Sequence, residues 1–311
     1  MVQGLLMLAA LIAVPIVAIT NMGGLDHVTD AVANVRPDAL GLFAGTTFIG
    51  IASALAWGLG YFGQPHIIVR FMALRTPKDA KAGRRIGMSW MLLTVVGSIS
   101  TAFVGVAYFA THPEVSLTDK ESAETVFLDL AQILFHPFIA GMILAAVLAA
   151  IMSTLSSQLV VCSSALVEDL YGVFVKKKLS SNQSLWLGRA GVAIVAVIAT
   201  LMALDKNNSI LSLVEFAWAG FGSAFGPIVI LSLYWRKLTL PGAVSGMVVG
   251  AVVTFFWRQI FNLTETIDVY EMIPGFFLAF LVTVVVSLAT YQKNEEIEQE
   301  FDKAAELAKA G

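Results

Sequence analysis

The chain has 311 residues, 58% of them hydrophobic and only 13% charged, with a formal net charge of -3; an ordinary soluble domain carries about 25% charged residues. This is the composition of a membrane protein, and its basic residues are scattered between apolar blocks, which excludes a nucleic-acid partner. The lone Cys162 excludes an intrachain disulfide framework, and the four histidines (27, 66, 112 and 136) lie far apart without ligand spacing, so a metal enzyme is not expected.

A spanning helix needs about 20 mostly apolar residues. The first segment that qualifies, 2–20, lacks a basic leader region and reads as a span, not a signal peptide. It begins at full hydrophobicity with no polar flank, as expected if the chain is a piece of a longer protein.

The second span, 41–66, ends "SALAWGLGYFGQPHI", with Gly58, Gly60 and Gly63 followed by Pro65. Pro65 removes a backbone donor and clashes with the carbonyl of residue 61, and the glycines weaken the helix around it, so a break is expected here. Unwound backbone deep in a membrane protein is tolerated where it lines a cavity, and secondary transporters build substrate sites from it. Trp57 and Tyr61, one turn apart, would give such a site an aromatic wall and a hydroxyl. The competing explanation is an interfacial aromatic belt with a helix that simply ends at Pro65.

The third span is 87–110. Residues 121–136, "ESAETVFLDLAQILFH", are too short and too charged to span but place Val126, Leu130, Ile133 and Leu134 on one helical face, as in a helix lying on the outer surface of the bundle. The fourth span, 137–165, contains "AAIMSTLSSQLVVCSS". At 100° per residue, Ala150, Ser153, Thr154, Ser157 and Ser164 share a face. These hydroxyls either bond back to carbonyls of their own helix or, together with carbonyls freed by a distortion, supply oxygens to sodium without burying a full carboxylate.

Spans 188–204, 209–234, 241–258 and 273–291 complete a set of eight. Gly242, Gly246 and Gly250 recur every four residues, the spacing that lets helix backbones approach closely in lipid. Residues 292–311 form a tail with Ile297, Phe301, Ala304 and Ala308 as a narrow apolar stripe. The loops after the second, fourth and sixth spans and the tail carry fifteen Lys and Arg, against four on the other side. Both termini are therefore expected in the cytoplasm.

The stretches "WGLGYFGQPHI", "LAAIMSTLSSQLVVCSSALVEDLY" and "FAWAGFGSAFGPIVILSLYW" resemble the sodium/solute symporter family, and within it the members that carry proline; the similarity runs in order along essentially the whole chain. The resemblance implies an all-α polytopic membrane protein, namely the C-terminal part, about eight helices, of a LeuT-type inverted-repeat transporter whose first five helices are missing. It implies sodium-coupled import of L-proline by alternating access in the bacterial inner membrane, with a fragment inactive alone. It assigns Trp57, Tyr61 and Pro65 to the substrate, and Ala150 (through its carbonyl), Ser153 and Thr154 to sodium; it likens residues 121–136 to an outer lid. Sodium is the coupling ion and no organic cofactor is implied; the partners are proline, the lipid bilayer and the missing N-terminal helices. Alternatives are a relative moving another solute, such as pantothenate or a sugar, and a membrane sensor domain. No spanning segment carries paired acids or a histidine cluster, so an enzyme is not expected.

Overall fold

A computed structural model describes residues 2–115, 123–165, 167, 180–204, 209–260 and 269–310, and among these every regular element is a helix. In chain order they are α1 (Val2–Asn21), α2 (Leu25–Val35), α3 (Phe48–Gly60), α4 (Pro65–Met72), α5 (Pro77–Thr111), α6 (Val126–Leu134), α7 (Pro137–Ser164), α8 (Ser181–Ala203), α9 (Ile210–Tyr234), α10 (Leu240–Ile260), α11 (Met272–Thr290) and α12 (Glu295–Ala310), with short 3-10 turns between some of them. Seven of these, α1, α5 and α7 to α11, are long and apolar enough to cross a membrane. A helix closes its backbone hydrogen bonds within itself, the condition for a chain segment surrounded by hydrocarbon.

The second expected span, 41–66, needs correcting. Residues 41–47 are not helical; Gly45 sits at φ 71° and Thr47 caps α3, its Oγ1 accepting from the Gly50 amide at 3.1 Å. The segment then breaks and continues beyond 66 as α4. Two other starts also shift. The helix expected from 87 begins at Pro77, because the basic residues that precede the apolar run are themselves helical; at 35 residues α5 is about 52 Å long, more than the ~30 Å hydrocarbon layer. The helix expected from 188 begins at Ser181, where Ser180 and Gln183 form a reciprocal capping box. The surface helix expected over 121–136 is described from Val126 to Leu134; residues 121 and 122 lie outside the described residues.

The chain divides into two compact units, residues 1–44 with 85–207 and residues 45–84 with 208–311. In the first, α1, α5, α6 and α7 meet around Ala10, Val14, Tyr108, Phe109, Leu130, Ala131 and Ile143. Val28 and Val32 hold α2 against Ala18, Val104 and Ala107. Leu130 and Ala131 of α6 are fully buried while Ile133, assigned to the same face by periodicity, is 39% exposed.

In the second unit α9, α10 and α11 pack closely. A Cβ on Gly242 would overlap the Ser287 hydroxyl, one on Gly246 the Thr283 hydroxyl, and one on Gly250 the Ser223 carbonyl. The four-residue stripe is thus the surface on which α10 meets its neighbours. Thr239 ties the end of this packing, its amide donating to Ser287 Oγ at 3.2 Å. The tail helix α12 docks through Arg236, which pairs with Asp302 at 2.7 Å and lies over the Phe301 ring.

Candidate substrate and cation sites

The break lies in the second unit and follows from its sequence. A continuous helix would press the Pro65 ring into the residue-61 carbonyl, and the residue before a proline is driven out of the helical region. Gln64 is accordingly extended, at φ -82° and ψ 112°, and Pro65 opens α4 as its first residue. Between Gly60 and Gln64 the chain tightens into the 3-10 turn Tyr61–Gly63. The Gln64 carbonyl starts the new ladder, accepting from Ile67 at 3.0 Å and Ile68 at 3.1 Å.

Helix α9 packs directly against the break. A Cβ on Gly63 would come 2.7 Å from the Gly222 Cα, and one on Gly222 would come 2.8 Å from the Gly60 Cα. Main chain therefore touches main chain, which a side chain at any of the three positions would prevent. Trp218, one turn earlier on α9, donates from Nε1 to the Trp57 carbonyl at 2.9 Å. Its own carbonyl accepts from Gln64 Nε2 at 3.2 Å.

Around these bonds stands an aromatic cluster. The Trp57 ring stacks on Trp218, centroids 5.7 Å apart, and on Tyr270 at 6.2 Å; Tyr61 meets Trp218 edge-on at 4.8 Å. Tyr270 is pinned at both ends, its amide donating to Ser53 Oγ at 3.1 Å and its hydroxyl to the Glu215 carbonyl at 2.8 Å. Tyr61 is 38% exposed and its hydroxyl makes no hydrogen bond among the described residues. Trp57, Tyr61 and Pro65 thus come together at one break, with Trp57 stacked into the cluster and Tyr61 at its open side. Sequence reasoning passed over Gln64, Trp218 and Tyr270. The available signal was a lone amide side chain beside proline in an apolar run.

The other candidate residues lie in the first unit on α7. Ser153 Oγ donates to the Ala150 carbonyl at 3.0 Å, and Ser157 Oγ donates to the Thr154 carbonyl at 2.8 Å. Two of the hydroxyls thus bond back along their own helix. The Ser153 bond also holds two oxygens side by side; the Ala150 carbonyl takes the Thr154 amide of the helix ladder as well, so the free lone pairs are on the Ser153 hydroxyl. Ala150 and Thr154 also line an open, almost wholly apolar groove of about 470 Å³ with Ile151, Leu155 and Gln158, and no hydrogen bond among the described residues uses the Thr154 hydroxyl. A carbonyl and two hydroxyls are hard neutral oxygens, a donor set that fits a monovalent cation. Farther along, Ser163 is 4% exposed and donates to the Gly188 carbonyl of α8 at 2.7 Å.

The sequence pattern of the Sodium:solute symporter family matches residues 1–250. The chain is 47% identical over 301 residues to the high-affinity proline transporter PutP of Bacillus subtilis, covering 97% of this chain and 62% of that protein. It is 50% identical over 289 residues to the osmoregulated proline transporter OpuE of the same organism, covering 93% and 58%. It is 43% identical over 303 residues to the sodium/proline symporter of Escherichia coli, covering 97% and 60%. The chain therefore spans about three fifths of the length of the relatives it matches.

Proposed function

Because this chain belongs to the sodium:solute symporter family, we propose that it works in the sodium-coupled import of L-proline by alternating access, in a LeuT-type transporter of the bacterial inner membrane. The observation that carries this reading is the break between α3 and α4, where the Tyr61 hydroxyl stands open beside the Trp57 stack. Relatives named as proline transporters match nearly the whole chain at 43 to 50% identity.

Tyr61 and Trp57 contact proline, and Pro65 holds the chain open. The Ala150 carbonyl and the Ser153 and Thr154 hydroxyls take three positions around sodium. A sodium ion wants more oxygens than three, and segments beyond these 311 residues supply the rest. Sodium binding stabilises an outward-open state, proline binds, and closure exposes both to the cytoplasm, where both ends of the chain lie. The membrane potential adds about 2.3 kcal/mol per charge per 100 mV. No bond is made or broken, so the protein is not an enzyme in this reading.

The test is radiolabelled proline uptake into proteoliposomes. The chain is completed by the segments its Bacillus subtilis relatives have beyond it. Uptake that requires an inward sodium gradient supports the reading; uptake indifferent to sodium, or of another solute instead of proline, overturns it.

A further inference from the structure

Breaking a helix leaves the carbonyls of its last turn without their usual donors, and in a membrane such groups must find partners within the protein. Here one residue serves both sides of the break. Trp218 caps the Trp57 carbonyl with its indole N–H at 2.9 Å, before the break, and receives the Gln64 amide on its own carbonyl at 3.2 Å, after it. Gln64 is 3% exposed, so water does not compete for that amide. The two aromatic residues of the proposed substrate site also rest on the same indole, Trp57 by stacking and Tyr61 edge-on.

We infer that Gln64 and Trp218 are positioning residues, a clasp that sets the bend between α3 and α4 and thereby the pose in which Trp57 and Tyr61 receive the substrate. The inference rests on the reading of the break as the substrate site. The glycine contacts of Gly60, Gly63 and Gly222 bring α9 close enough for the clasp but are not directional. The two hydrogen bonds are directional, and they are what fixes the bend. Neither residue need touch the solute.

Three substitutions separate the clasp from simple packing: Trp218→Phe keeps a ring and loses the N–H, Gln64→Leu keeps approximate volume and loses the amide, and Gln64→Glu keeps the shape but can donate only when protonated. The first measurement needs no transport. Amide hydrogen exchange of the 311-residue chain in detergent should accelerate about tenfold over residues 61–68 in Trp218→Phe and Gln64→Leu, the effect of losing one hydrogen bond, while residues 272–290 exchange as before. Unchanged exchange over 61–68 overturns the clasp whatever the solute.

The second measurement uses the completed transporter. KM for proline should rise about tenfold in each variant, with the maximal rate and the sodium requirement unchanged. In Gln64→Glu the rise should reverse as the medium is acidified, while the unsubstituted protein measured alongside shows no such recovery. A KM that does not move, or a Gln64→Glu defect that pH does not touch, overturns the positioning role. If the unsubstituted protein moves no proline, the substrate reading fails and the exchange measurement alone decides the clasp.

Discussion

Ser153 donates its hydroxyl to the carbonyl of Ala150 at 3.0 Å, one turn back on the same helix. Back-bonding of this kind satisfies a hydroxyl proton, yet it leaves the Ser153 oxygen with free lone pairs beside the Ala150 carbonyl, and Thr154 adds a second hydroxyl one residue on. If the three serve sodium, removing one costs the ion a ligand and leaves the helix intact. Ser153→Ala and Thr154→Ala should each raise the sodium concentration for half-maximal proline uptake about tenfold or more, roughly 1.4 kcal/mol, at unchanged protein yield. A sodium curve that stays in place in both variants would return these hydroxyls to internal helix bonding.

Ser163 belongs to the same hydroxyl-rich stretch but does a different job. Its bond to the Gly188 carbonyl joins α7 to α8 at 2.7 Å, and a Cβ on Gly191 would lie 2.7 Å from the same hydroxyl oxygen. Interhelical side-chain bonds in membranes contribute about 0.6 to 2 kcal/mol. Ser163→Ala should therefore lower the detergent unfolding temperature while leaving the sodium dependence of uptake alone. The reverse pattern would move Ser163 to the cation site.

How much of this was legible beforehand depended on distance along the chain. The apolar runs, the break before Pro65 and the glycine stripe of α10 are local properties, and the structure has elements at each. The start of α3 was misplaced because Gly41 to Thr46 are apolar enough to count toward a span, although Gly45 at φ 71° cannot continue a right-handed helix. The start of α8 was signalled by Ser180 and Gln183, a capping pair three residues apart, but hydropathy alone favoured a later one. Gln64 stood out only as a lone amide beside proline, and nothing local tied it to Trp218, since their bond spans 154 positions. Only the packing of α9 into the break makes the lone amide intelligible.

The stripe on α10 makes a prediction about packing. A methyl at Gly246 would occupy the place of the Thr283 hydroxyl and come 3.0 Å from the Ala279 carbonyl. Overpacking of this kind costs about 1 to 3 kcal/mol. Gly246→Ala should lower the thermal stability of the detergent-solubilised chain by that amount, and adding Thr283→Ala should recover a large part by clearing the space. Among the described residues Thr283 bonds to the Ala279 carbonyl of its own helix, at 2.7 Å, and it is fully buried, so Thr283→Ala by itself should cost about 1 kcal/mol for the packed methyl it removes, less than Gly246→Ala. A double variant no better than Gly246→Ala would mean that the clash is with the α11 backbone and not with the hydroxyl.

At the tail, geometry and exposure pull in opposite directions. Arg236 and Asp302 are 2.7 Å apart, a strong contact by distance, but their side chains are 48% and 54% exposed. Water then screens the pair, and exposed ion pairs contribute about 0.2 to 1 kcal/mol. Arg236 also lies 5.7 Å from the centre of the Phe301 ring, a contact that keeps α12 near the loop without the carboxylate. Asp302→Asn should therefore loosen α12 only slightly, an effect that fades in high salt because the Debye length shrinks to about 3 Å at 1 M. Arg236→Gln removes the ion pair and the ring contact together and should free α12 more, seen as faster trypsin cleavage at Lys303. Equal cleavage rates in the two variants at low salt would show that the ion pair, and not the ring contact, holds the tail helix.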